Sequence, residues 1–230
     1  MMMTLTKYGI REWGSSGIAA LALIGGFVAL ALTLAPVAGW ILVGFTAVCW
    51  LTLAAFFRNP ARRLPDGDGL LSPADGVVKD IETIQDCGID CFAGQEVLRI
   101  GIFLSVLDVH LNRVPGDFEV TCKHYREGRY LDARHKDCHK ENEAMTIGGQ
   151  ATVGEKCFPM AVRQISGAIA RRIVCPVEPG RKLHRGEIYG MIKFGSRTEL
   201  YLPADENFEL KVNIGDRVYA GTTVMTELKR

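Results

Sequence analysis

Gly195-Ser196 sets a hydroxyl beside a carbonyl that it can attack. Glycine opens backbone conformations that other residues resist, and Ser196 Oγ is positioned by the covalent chain for an N-to-O acyl shift. The peptide becomes an ester. Elimination of that ester and loss of ammonia leave a pyruvoyl group where the serine stood. A hydroxyl is a weak nucleophile without a base, and histidine is the commonest base near neutral pH. Cationic side chains that can neutralise a phosphate or a carboxylate are Arg113, Arg171, Arg172, Lys193 and Arg197, arginine being suited to bidentate bonding. By spacing alone a Gly-Ser pair is only a turn.

The elements around the pair are strand-like. Ile192 and Phe194 before it, and Leu200 and Leu202 after it, predict a strand interrupted by a tight backbone feature. Residues 64–72, with Pro65-Asp66-Gly67-Asp68-Gly69, read as a linker. After it come short strand patterns at Gly76–Val78, Val97–Phe103, Phe118–Val120, Ala144–Ile147 and Lys156–Phe158. Ser105–His110 is too short and mixed to assign beyond one turn. The C-terminal passage Leu210–Val224 resembles half of a biotinyl or lipoyl carrier fold, with Ser72–Ile81 as the opening strand of the other half. The expected fold is therefore an N-terminal transmembrane helical hairpin (1–63) and a mainly-β, β-rich α+β domain with barrel-sandwich-like hairpins (64–230). A non-enzymatic, membrane-anchored carrier or adaptor module is one function for it. That module needs a modifiable lysine at the hairpin tip, where this chain has Gly195-Ser196 and keeps Lys193 two residues back.

From Trp13 to Phe57 there is no Asp, Glu, Lys or Arg, enough for two spans at about 20 residues each. Pro36–Gly39 is the expected break, leaving arms Gly17–Ala35 and Val37–Phe57; a re-entrant hairpin is the alternative. Lys7 and Arg11 precede the run and Arg58, Arg62 and Arg63 follow it, so both ends are expected in the cytoplasm and the chain in the cell (inner) membrane. A net charge of +1 gives no field for nucleic acid. The seven cysteines are expected to be free thiols. Cys122, His124, His135, Cys138 and His139 match no standard zinc spacing and sit among Arg126, Arg129, Arg134, Lys136 and Lys140, so no metal is expected.

Five blocks resemble the short bacterial and archaeal form of the phosphatidylserine decarboxylase proenzyme family. They are Phe57–Pro60, Leu71–Gly76, Phe103–Gly116, Gln164–Val174 and Gly190–Pro203. The resemblance implies self-cleavage between Gly195 and Ser196 into chains 1–195 and 196–230, which stay together as a heterodimer. It implies a covalent pyruvoyl cofactor made from Ser196. The ketone forms a Schiff base with the amine of phosphatidylserine in the membrane and takes up the electrons left by CO2. It singles out His110 as the base and Asp75 as the residue orienting it, in the manner of a serine-protease triad. Longer members carry a second histidine where this chain has Arg113, which leaves His110 to serve both cleavage and protonation. Asn142-Glu143 matches a short element near the site, while Lys136–Lys140 departs from the usual pattern. The same chemistry on the archaeal ether lipid archaetidylserine fits these residues equally well, and association into a homo-oligomer is left open.

Overall fold

A computed structural model of the chain describes residues 3–128, 141–167, 172–193, 196–205 and 207–229. It divides into two compact units, Met1–Ala61 and Arg62–Arg230. In the first, strand β1 (Met3–Leu5) leads through two tight helical turns into α1 (Ser15–Thr33). Helix α2 (Pro36–Phe56) returns, and β2 (Arg58–Pro60) pairs antiparallel with β1. The helical stretches Lys7–Thr33 and Pro36–Phe56 are each long and apolar enough to cross a membrane.

The break between the helices falls at Leu34–Ala35 rather than across Pro36–Gly39. Pro36 opens α2, a position where its fixed φ suits the helix and its missing N–H has no bond to make. Gly39 lies inside α2, and a Cβ there would sit 2.4 Å from Ala31 Cβ. Its bare backbone lets the two helices approach closely, as small residues do between apolar helices.

The second unit is mainly β. In chain order its strands are β3 (Leu70–Leu71), β4 (Gly76–Ile84), β5 (Val97–Leu104), β6 (Leu111–Arg113), β7 (Asp117–Arg126), β8 (Ala144–Val153) and β9 (Lys156–Ser166). They continue with β10 (Arg172–Val174), β11 (Lys182–Leu183), β12 (Ile188–Lys193), β13 (Ser196–Pro203), β14 (Phe208–Leu210), β15 (Arg217–Val218) and β16 (Val224–Leu228). An eight-stranded antiparallel sheet has the order β11-β7-β8-β9-β13-β5-β4-β15. Two three-stranded sheets have the orders β10-β12-β6 and β14-β16-β3. They share one core, in which Ile100, Ile102, Met160, Val162, Leu200 and Leu202 of the large sheet meet Tyr189 and Met225 of the smaller ones.

Several strands run past their apolar stretches. β9 continues through Arg163, Gln164 and Ser166, polar residues that lie in the sheet with Gln164 and Ser166 fully buried. The passage around Ser196 is not one interrupted strand. β12 pairs with β6 and β10, whereas β13 lies between β9 and β5 in another sheet. Side chains alternate along β13. Leu200 and Leu202 join the main core, while Tyr201 packs on the opposite face with Ala161 and Phe92. Ser196 and Thr198 share the face of Leu200; Arg197 and Glu199 share that of Tyr201.

Candidate active site

Ser196 begins β13 with Leu104 of β5 and Ser166 of β9 as its cross-strand partners. Ladders on both sides fix its backbone, and the residue is fully buried. Its Oγ makes no hydrogen bond among the described residues, and neither does Ser166 Oγ on the facing strand. An unpartnered buried hydroxyl costs about 1–3 kcal/mol. Such a group in a folded protein calls for an explanation, a catalytic role among them.

His110 is also fully buried. Its Nδ1 lies 2.9 Å from the carbonyl oxygen of Asp108, and a carbonyl only accepts. Nδ1 therefore carries a proton, and in the neutral ring the lone pair is then on Nε2, the tautomer that a base acting on a hydroxyl needs. The His110 carbonyl accepts from Ile192 N–H at 3.1 Å, which ties it to β12, the strand that runs toward Ser196. The loop bearing His110 is held by Asp108. Oδ2 of Asp108 accepts from both the N–H and the Oγ–H of Ser105 at 2.8 Å, and Oδ1 pairs with Arg217.

Asp75 does not bond to His110. Its Oδ2 pairs with Arg62 at 2.6 Å and its Oδ1 accepts from Ala220 N–H at 2.8 Å. The expectation that Asp75 orients the imidazole directly is thus not what the structure holds, because the Asp108 carbonyl already occupies Nδ1. Burial pushes the Asp75 carboxyl above its ordinary value, and the nearby Arg62 charge offsets only part of this. Arg113 is half-buried and donates to the Gly186 carbonyl at 2.8 Å. Burial lowers its pKa, the Arg62 charge lowers it further, and Asp75 opposes both. Arg62, Asp75 and Arg113 are therefore neighbours, one carboxyl with two guanidiniums.

Lys193 is buried on β12, and Arg172, its cross-strand partner, is exposed. Arg197 points away from the serine. Its guanidinium pairs with Asp80 at 2.6 and 2.7 Å and with Glu199 at 2.9 Å, on the sheet face of Tyr201. Gly195 and Arg171 lie outside the described residues, as do His135, Cys138 and His139.

The residues clamping the strand of Ser196 include Asn112 and Gln164, which carried no role of their own in the sequence, together with Asn142 and Glu143 of the matched element. Asn112 Nδ2 donates to Thr198 Oγ1 at 3.0 Å and to the Pro73 carbonyl at 3.4 Å, and Gln164 Nε2 donates to Asn112 Oδ1 at 2.8 Å. Asn142 Nδ2 donates to the Ser166 carbonyl at 2.7 Å, and the Glu143 carbonyl accepts from Ser166 N–H at 2.9 Å. Buried polar side chains inside strand patterns are the signal that would have pointed to them. The arrangement presents a buried Ser196 hydroxyl with no hydrogen bond among the described residues, on a backbone anchored from both sides.

Comparison with known proteins places the chain among decarboxylases. The profile of a family described as phosphatidylserine decarboxylase matches residues 51–226. A phosphatidylserine decarboxylase proenzyme of Geotalea uraniireducens (strain Rf4) is 41% identical over 203 residues, 88% of this chain and 90% of that protein. One from Rhodopirellula baltica is 41% identical over 207 residues, covering 87% and 83%. One from Carboxydothermus hydrogenoformans is 42% identical over 181 residues, covering 78% and 81%.

Proposed function

This chain belongs to the phosphatidylserine decarboxylase family, a family of carboxy-lyases, and we propose that it converts phosphatidylserine to phosphatidylethanolamine after cutting itself between Gly195 and Ser196. The observation that carries this reading is the buried Ser196 hydroxyl, which has no hydrogen-bond partner among the described residues. His110 Nε2 takes the Oγ proton while Oγ bonds to the Gly195 carbonyl carbon. The C–N bond breaks, and the proton passes to the departing nitrogen. Loss of the Cα proton of residue 196 then expels the Gly195 carboxylate. Water replaces the nitrogen, which leaves as ammonia, and a ketone remains. Burial keeps bulk water from hydrolysing the ester first.

The residues present fit a pyruvoyl group, which is made from Ser196 and needs no separate cradle. It supplies an electron sink for a substrate bound through its α-amine. Arg62 and Arg113 are positioned beside Asp75 to offset an anionic head group. His110 returns a proton to carbon. The fold also favours retention of the small chain after the cut. Its first strand, β13, is paired along its length with β5 and β9 of the large chain, and β16 pairs with β3.

Lys7 and Arg11 before the hairpin and Arg58, Arg62 and Arg63 after it support a cytoplasmic position for both ends. A hairpin of this kind keeps the enzyme in the bilayer that holds its lipid substrate.

The test is an intact mass of the purified protein. A small chain beginning at residue 196, blocked at its N-terminus and one ammonia lighter than the serine peptide, is the expected result, and Ser196→Ala leaves the chain whole. A folded wild-type protein that stays uncut overturns the pyruvoyl reading.

A further inference from the structure

A second group of reactive side chains lies on the sheet face of Tyr201, opposite to that of Ser196. Asp90, Cys122 and His124 each bring one ligand atom within 4.8 Å of the others, and Asp90 Oδ2 is 2.8 Å from His124 Nε2. A Cβ on Gly148 would lie 2.8 Å from Cys122 Sγ and 2.9 Å from Cys91 Sγ. The two thiols thus flank the same bare backbone.

Two elements converge here. The 3₁₀ turn Asp90–Phe92 is pinned by Ile89 and Phe92 against Ala161 and Tyr201. On β7, Cys122 and His124 stand two residues apart and share a face. Lys123 between them points the other way and bonds Glu178 at 2.5 Å and the Cys175 carbonyl at 3.1 Å. The lysine that sequence proximity sets beside the two ligands is therefore directed away from them. The spacing hid the group because its acidic member and its second thiol come from a turn more than thirty residues earlier.

We propose that Asp90, Cys122 and His124 form a zinc-binding site, with the Cys91 thiol as the adjoining donor. Thiolate, imidazole and carboxylate together suit zinc better than magnesium or calcium, which prefer oxygen alone. Tetrahedral bonds of about 2.0–2.3 Å set ligand atoms closer than 4.8 Å but farther apart than the Asp90–His124 hydrogen bond. The site needs only small shifts to close on an ion. Asp90 and His124 are more than half exposed and give the ion a way in. A bound ion clips the connection between β4 and β5 onto β7, away from the chemistry at Ser196.

The test uses the full-length protein in detergent, stripped with a chelator and titrated with zinc chloride or, separately, cobalt chloride. One zinc per chain is expected, together with a thiolate-to-cobalt absorption band. Cys122→Ser and His124→Gln each weaken zinc binding by at least the roughly tenfold that losing even an outer-shell partner costs. Cys157→Ser, at an exposed thiol elsewhere, leaves it unchanged. Self-cleavage of His124→Gln proceeds at the wild-type rate. The exposed His124 variant keeps the test decisive where Cys122→Ser fails to fold. No stoichiometric zinc, no cobalt–thiolate band, or equal zinc binding by wild type and His124→Gln overturns the proposal.

Discussion

Nδ1 of His110 lies 2.9 Å from the carbonyl oxygen of Asp108, so the imidazole is fixed by its own loop. This one contact sets the tautomer and, with Asp108 bonded to Ser105 and Arg217, the loop's shape. His110→Ala is expected to slow self-cleavage by about 10²–10⁴-fold, the usual worth of a positioned base. Timed conversion of the single chain to two, followed on a gel, measures it. Asp108→Asn keeps its backbone carbonyl and should slow cleavage far less. Equal losses in the two variants would mean that the loop's shape, rather than the imidazole, is what matters.

Asn112 ties three strands together around the serine by bonding Thr198, Gln164 and the Pro73 carbonyl. Asn112→Ala strands Gln164 Nε2 and Thr198 Oγ1 in the core, at a cost of about 1–3 kcal/mol for each unpaired group. The thermal midpoint should fall and self-cleavage should slow together. Asn112→Asp can still accept from Gln164 but no longer donates to Thr198, and it should fall between alanine and wild type. Unchanged cleavage in a destabilised Asn112→Ala protein would show that the clamp is purely structural.

The hairpin and the mainly-β domain were legible because both are written in apolar patterning, a long uncharged run followed by short strand-length stretches between turn residues. The ends of β4, β8 and β9 were not, since they carry charged or polar residues that break the apolar pattern, exposed at Glu82 and Gln150 and buried by sheet neighbours at Gln164 and Ser166. Ser196 stood out in the sequence through Gly195 and its family block. Its separation from β12 was not, because two sheets that exchange a chain over two residues look like one kinked strand. Asp75 stood out through its family block, but its partners Arg62 and Ala220 lie 13 and 145 residues away in sequence. No local spacing could have named them in place of His110.

Arg197 shows the same limit from the other side. Adjacent to Ser196 in sequence, it faces the opposite surface of the sheet and pairs with Asp80 and Glu199. Burial alone would lower its pKa, yet the bonds to these two carboxylates raise it well above the ordinary value. Arg197→Ala leaves Asp80 and Glu199 the longer ion pairs with Arg99 and Arg163 at 3.6–3.9 Å, a loss of up to about 3–5 kcal/mol for a broken buried pair. The expected result is a large drop in thermal midpoint, with KM for phosphatidylserine unchanged in whatever protein still folds. Arg197→Lys should rescue little, since an ammonium cannot reproduce the paired guanidinium bonds. A raised KM at wild-type stability would return Arg197 to the substrate site.

Asp75 makes a prediction about pH. Its carboxyl is raised from 3.8 chiefly by burial, which outweighs the Arg62 charge and the Ala220 N–H. The folded state therefore binds this proton more tightly than the unfolded state does. That contribution to stability is complete below 3.8 and is lost as pH rises through the raised folded value. The measurement is the thermal midpoint against pH in the uncut Ser196→Ala background, with and without Asp75→Asn. Asparagine mimics the neutral carboxyl, so the two proteins should agree most closely in acid. As pH climbs above the ordinary carboxylate range, the aspartate protein should lose stability relative to the asparagine one. The opposite trend, aspartate gaining on asparagine as pH rises, would mean that the ion pair with Arg62 outweighs the burial of the charge.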